Sequence, residues 1–354
     1  MMLKNVLALA IVLGISACSS DSSEPEEELE QVDNGNDNQG SFDLVDITNV
    51  TFTKRDASCT DYEGNYNASV MDVQNNTSFV GEVSVSNDES SCTLEANTIP
   101  NHDFNDTGRF ATDVSELSAS FNIPAAPQFA NQVTELSLGT AEAILLNGIT
   151  LDILAAACYG IGNEPLGTEK IGCGGQYDAH PWRYDPMSEL NNFGTDSHNA
   201  HSQPSGKYHY HGNPMAMFEQ NCQNASSPSP VIGFAADGFP IYGTCVNDNG
   251  TVREVQSSYR LLTGIRQSVG NYLTPEAGQG DINSNNYDGQ FRGDYEYVNN
   301  LGDLDECNGM TVDGQYGYYI TNSYPWLVNC FKGAVDSSFQ GGGIAVEREH
   351  GHVH

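Results

Sequence analysis

Val231-Ile-Gly-Phe-Ala-Ala-Asp-Gly-Phe-Pro-Ile-Tyr242 reads as strand, turn, strand. Two short apolar runs meet at Asp237-Gly238, a dipeptide suited to a tight hairpin because glycine adopts positive φ without strain. Residues 242–255 repeat the arrangement around Asp248-Asn-Gly250. Upstream, Ser78-Phe-Val-Gly-Glu-Val-Ser-Val85 alternates apolar and polar like a half-buried strand. Glycine, asparagine and aspartate interrupt the chain roughly every eight to twelve residues, a rhythm of short strands. The expected class is all-β: mainly antiparallel hairpins, sandwich- or barrel-like, loop-rich, with at most a few short helices. The best helix candidate is residues 151–158. Pro124, Pro127 and Gln128 mark a sub-boundary between an N-terminal β layer and the rest.

The 354 residues carry a formal net charge of −34. That argues against nucleic acid as a partner, since its binders need basic surface. The chain opens on Lys4, a short apolar run and Ile15-Ser16-Ala17-Cys18. This pattern resembles a bacterial lipoprotein signal, with cleavage leaving Cys18 lipidated. Residues 1–17 are then signal peptide, and residues 18–43 are the lipidated cysteine and an acidic, disordered tether, too poor in apolar residues to offset the entropy of ordering. The expected location is exported and lipid-anchored in the cell envelope, at the outer membrane of a Gram-negative bacterium, with the membrane reached through Cys18 and no transmembrane helix. Residues 44–130 form an N-terminal β region, residues 131–345 the main domain and residues 346–354 a histidine-containing tail.

Setting Cys18 aside leaves Cys59, Cys92, Cys158, Cys173, Cys222, Cys245, Cys307 and Cys330. An even set in an oxidising compartment reads as disulfides, with nearest neighbours in sequence the simplest pairing. None lies in a CxxC pair, which argues against a thiolate zinc site.

Gly206-Lys-Tyr-His-Tyr-His211 is echoed by Gly314-Gln-Tyr-Gly-Tyr-Tyr319, each followed after eleven residues by a cysteine, Cys222 or Cys330. Two related hairpins are expected. The tyrosines persist in both copies and read as framework. The histidines occur in one copy and read as an addition. In an extended strand His209 and His211 share one face and Tyr208 and Tyr210 the other. With His198 and His201 they make four histidines within fourteen residues, a set suited to a transition metal. His180 and His102 are weaker, remote ligand candidates. Met215 and Met217 follow directly, and thioethers favour copper, so copper is favoured over zinc. The tail carries His350, His352 and His354, a weak chelator.

Several blocks resemble the YHYH-domain family of bacterial exported proteins: residues 206–214 (GKYHYHGNP), 232–243 (IGFAADGFPIYG), 304–309 (LDECNG) and 324–333 (YPWLVNCFKG), with Leu146-Asn-Gly-Ile149 and Cys173-Gly-Gly175 upstream. The resemblance spans roughly residues 135–335. It implies an exported protein and assigns no activity. In many members a second tyrosine–histidine run lies between the last two blocks. Here that segment is Tyr316-Gly-Tyr-Tyr319, so a site drawn from both runs lacks the histidines at Gly317 and Tyr319.

The reading is a lipid-anchored protein that binds a transition metal for handling or sequestration. Two alternatives stay open. One is a metal-dependent enzyme of hydrolase or oxidase type, with Asp196, Asp185 or a tyrosine assisting. The other is a glycan- or protein-binding module using Trp182, Tyr184 and Trp326.

Overall fold

The hairpin at 231–242 is the centre of the molecule. The structure, a computed structural model, describes residues 43–344; the signal sequence, Cys18, the tether and the histidine tail lie outside the described residues. The chain first lays down β1 (Leu44–Asp46), β2 (Gly64–Asp72), β3 (Thr77–Asn87), β4 (Ser91–Ala96) and β5 (Ala119–Pro124), a five-stranded sheet in that order. Along β3 the alternation is visible as burial: Gly81, Val83 and Val85 point inward and their neighbours outward. Then come β6 (Phe129–Glu135), β7 (Ala143–Leu145), β8 (Thr150–Leu151), β9 (Ala200–Ser202), β10 (Tyr208–Tyr210), β11 (Val231–Ala235) and β12 (Pro240–Tyr242). The chain continues through β13 (Cys245–Asp248), β14 (Thr251–Glu254), β15 (Tyr259–Leu261), β16 (Tyr295–Tyr297), β17 (Gly309–Val312), β18 (Gln315–Tyr319) and β19 (Cys330–Gly333).

Eight of these strands form one sheet in the order β17-β18-β12-β11-β7-β8-β10-β9. β13–β14, β15–β16 and β6–β19 are separate two-stranded pairs. Among the described residues the protein is all-β, and no sheet closes into a barrel. Helical turns among the described residues are 3-10 pieces of three or four residues. Both large sheets feed one hydrophobic core, which runs from Val83 and Leu94 through Ile144 and Phe234 to Tyr318. β11 is buried at every position, as a strand covered on both faces must be.

The helix expected at 151–158 is not formed. Leu151 pairs with Tyr210 as part of β8, the Asp152 amide donates to the Tyr210 carbonyl, and the Ile153 amide donates to Glu142 Oε2. Burial on both faces and strand partners on offer outweigh the local preference, which is a weak prior. Four disulfides close the loops, in the sequential pairing: Cys59–Cys92, Cys158–Cys173, Cys222–Cys245 and Cys307–Cys330.

The eight-stranded sheet is an internal repeat related by an approximate two-fold axis. At its centre β7 and β11 run antiparallel, with Ile144 opposite Phe234. On one side β7 turns into β8, β8 pairs in parallel with β10, and β10 pairs with β9. On the other, β11 turns into β12, β12 pairs in parallel with β18, and β18 pairs with β17. The register matches residue by residue: Tyr210 lies beside Leu151 as Tyr318 lies beside Ile241. The two turns, Asn147-Gly148 and Asp237-Gly238, have glycine φ of 82° and 87°. The Leu146 amide donates to Ile232 and the Ala236 amide to Glu142, the reciprocal bonds such an axis requires. Gly233 sits at the crossing, where an added Cβ would lie 2.6 Å from the Ile144 carbonyl oxygen.

The tyrosines are framework in both copies. Tyr208 donates to Asp196 at 2.9 Å and Tyr316 to Asp305 at 3.0 Å. Each of these carboxylates also accepts amide hydrogens from its own loop, His198 and Ala200 in one and Cys307 and Gly309 in the other. Tyr210 bonds Asn147 at 3.0 Å, and Tyr318 donates to Asp237 at 2.6 Å. Asp237 also accepts the Gly333 amide. Asp237→Ala therefore leaves the buried Tyr318 hydroxyl hydrogen and the buried Gly333 amide without an acceptor, and should cost about 2–4 kcal/mol in denaturant unfolding. A loss below about 1 kcal/mol would show that the carboxylate is not a framework element.

Candidate metal centre

Three of the positions at which the first repeat departs from the second are histidines. Antiparallel pairing of β9 with β10 sets His201 directly opposite His209, so the two side chains share a face. His211 follows two residues on and joins the same face. Its counterparts in the second repeat are Tyr319 for His211, Gly317 for His209 and Met310 for His201. There the Tyr242 and Tyr319 rings stack at 5.1 Å, and the Tyr242 ring occupies the space a side chain at 317 would need. One copy is packed shut; the other carries imidazoles.

Those imidazoles converge. His209 Nε2 lies 3.1 Å from His211 Nε2, which lies 3.0 Å from His201 Nε2. His209 and His211 are buried and His201 is half-buried. Second contacts set the tautomers. His201 Nδ1 faces the Phe193 carbonyl at 2.5 Å and His209 Nδ1 faces the Lys207 carbonyl at 3.3 Å. A carbonyl only accepts, so both Nδ1 atoms carry the hydrogen and both Nε2 atoms present lone pairs. A proton on His211 Nε2 satisfies one neighbour at a time. A single cation satisfies all three nitrogens, and a backbone carbonyl on the far ring nitrogen is the usual support for a metal-bound histidine. Burial, then the neighbouring histidines, holds the His211 imidazole well below its ordinary range. Burial and then His201 do the same for His209, and burial lowers His201. The neutral, ligating form is therefore favoured at neutral pH.

The triad lines a cavity of about 820 Å³. Asp152, Glu142 and Lys207 share its wall, with Leu154 and Phe193 among its apolar residues.

The other candidates lie elsewhere. His198 stacks on His102, ring centroids 3.8 Å apart, and His102 Nε2 bonds the Tyr210 hydroxyl at 2.6 Å. That pair belongs with the tyrosines, and neither ring lines the cavity. Burial and then His198 lower His102 to about 3. His180 packs edge-on against Tyr272 beside a separate cavity of about 470 Å³, and burial lowers it to about 4. Met217 is core and Met215 is exposed, and neither lines the triad's cavity. Asp196 is framework, and Asp185 accepts from the Trp326 indole at 2.9 Å. Trp182 and Tyr184 are buried, so they offer no stacking surface to a partner. Lys207 and Asp152 escaped the sequence reading, although Lys207 lies inside the 206–211 stretch. Asp152 carries no local signal, because the parallel pairing of β8 with β10 is what brings it near.

No helix among the described residues is long and apolar enough to cross a membrane. No curated protein matches the sequence. No solved structure matches it either. The sequence model of the YHYH protein family matches residues 120–333, more than half of the chain, and covers both repeats and the histidine triad. The chain belongs to the YHYH family.

Proposed function

We propose that His201, His209 and His211 bind one transition metal ion and present it to the cavity, in an exported protein tethered to the envelope through Cys18. The observation that carries this reading is the convergence of three Nε2 atoms, two with tautomers set by backbone carbonyls. Three imidazoles on one side and a cavity on the other match an open metal site rather than a closed structural one. Such an ion supplies a Lewis acid, or an activated water, to whatever enters. Three imidazoles suit zinc and copper alike. With Met215 and Met217 away from the cavity, no soft ligand supports the preference for copper. A metal-dependent enzyme is favoured by the cavity, and metal handling by the tail histidines. Four disulfides fit an extracytoplasmic location; the lipid anchor is read from Lys4, the apolar run and residues 15–18, and outer-membrane delivery from Ser19 after Cys18.

Cobalt(II) tests the open site. In a chain whose tail histidines His350, His352 and His354 are replaced by alanine, the visible bands of the cobalt protein should shift when azide is added. His201→Ala should abolish the bands, and His198→Ala should leave them. A cobalt spectrum indifferent to azide would make the site closed, and no cobalt spectrum at all would end the metal reading.

A further inference from the structure

The cavity beside the triad has a charge opposite to that of the protein. Among the described residues, three lysines and arginines line it: Arg109, Lys170 and Lys207. Of the described residues, only Glu142 and Asp152 oppose them, in a chain with 47 acidic residues. The wall is thus positive before any metal ion is counted. Glu142 widens the imbalance, because burial and then Asp152 hold its carboxyl well above the usual carboxylate range.

Lys207 is the unusual member. Its side chain is 2% exposed, and among the described residues its ammonium has one carboxylate, Asp152, at 3.4 Å. An ammonium carries three donors, and a buried cation is costly unless fully paired. The fold does not require it. In the second repeat the position of Lys207 is Gln315, and that of Asp152 is Tyr242, whose ring fills the equivalent space. The cation, the carboxylate and the three histidines are therefore the additions that distinguish the open copy from the packed one. The rest of the wall includes Leu154, Ala155, Ile171 and Phe193, and the volume suits a small organic molecule.

We propose that this cavity binds a small organic anion with an apolar body, its charged group held by Lys207 and by the ion on the histidine triad. The second anchor rests on the metal reading; the first does not. Calorimetric titration with hexanoate, hexanamide and inorganic phosphate separates the possibilities, using the full chain with its tail histidines replaced, both zinc-loaded and metal-free. Hexanoate should bind, phosphate more weakly and hexanamide not measurably. Lys207→Gln, which installs the residue type that the second repeat carries there, should weaken hexanoate by about 10- to 100-fold, while Lys207→Arg should retain most of the binding. Unchanged thermal unfolding of the glutamine variant shows that it is folded; if it is not, the arginine variant against Arg109→Gln at the exposed mouth carries the comparison. Hexanoate binding that persists without metal and still depends on Lys207 keeps the anion site even if the ion reading fails. Equal binding of hexanoate and hexanamide, or a folded Lys207→Gln chain with undiminished affinity, overturns the proposal. Phosphate binding more tightly than hexanoate overturns the apolar body.

Discussion

A chain carrying His209→Ala and His211→Ala should bind its metal about ten-thousand-fold more weakly, reckoned at roughly 3 kcal/mol for each imidazole lost from a set worth about 10 kcal/mol or more. The size of the effect comes from geometry. Three nitrogens each within 3.1 Å of a neighbour are placed so that one ion can bridge them, and a single remaining imidazole is an ordinary weak ligand. Folding should survive. Both side chains face the cavity, and the second repeat builds the same hairpin with Gly317 and Tyr319 at these positions. The contrast is Tyr208→Phe on the opposite face of the same strand. It removes the hydrogen bond to Asp196 and should lower stability by about 1–3 kcal/mol while leaving metal affinity within a few-fold of the parent. Metal titration and denaturant unfolding of the two variants check both halves. A tyrosine variant that loses metal as the histidine variant does would mean that the triad is held less rigidly than its backbone contacts indicate.

Reduction of the four disulfides should unfold the protein at neutral pH. The bridges span 33, 15, 23 and 23 residues. In the chain-entropy description each contributes about 3–4 kcal/mol, and together they contribute about 13 kcal/mol. That is comparable to the whole stability of a typical domain, about 5–15 kcal/mol. The loop-rich parts depend on them most. Cys158–Cys173 closes a segment with no strand of its own, and Cys307–Cys330 ties the loop before β17 to β19. Circular dichroism during a dithiothreitol titration should show loss of the β signal and, in a metal-loaded sample, release of the ion. A reduced chain that keeps its melting temperature would place the stability in the shared core instead.

Much of the fold is legible where a local turn decides it. β11–β12 and β13–β14 follow from Asp237-Gly238 and Asn249-Gly250, and β3 follows from its alternation. What was not legible depends on partners distant in sequence. The parallel pairing of β8 with β10 places residues 150–151 beside 209–210, and nothing near Leu151 announces it, so an apolar run there reads as helix. The internal repeat shows a trace in the two tyrosine stretches. Its fuller extent is hidden because equivalent turns tolerate different chemistry, Asn147 for Asp237 and His198 for Cys307, while the backbone demands remain the same. That substitution also explains the fate of His198. It occupies a framework loop capped by Asp196 and faces His102, whereas His201, three residues on, lies in β9 opposite His209. Period-two spacing finds His209 and His211, and local clustering adds His201 without separating it from His198. Neither can find Asp152, Lys207 as a cavity wall, or the packed state of the second copy.

An ion held by the histidines of the first repeat can be counted. Metal content per chain, by elemental mass spectrometry, tests for it most directly in protein prepared without chelator and with the tail histidines replaced, beside the same chain carrying His209→Ala and His211→Ala. About one zinc or copper per parent chain and close to none in the variant are expected. No metal in the parent, or equal metal in both, would contradict a metal site at the triad.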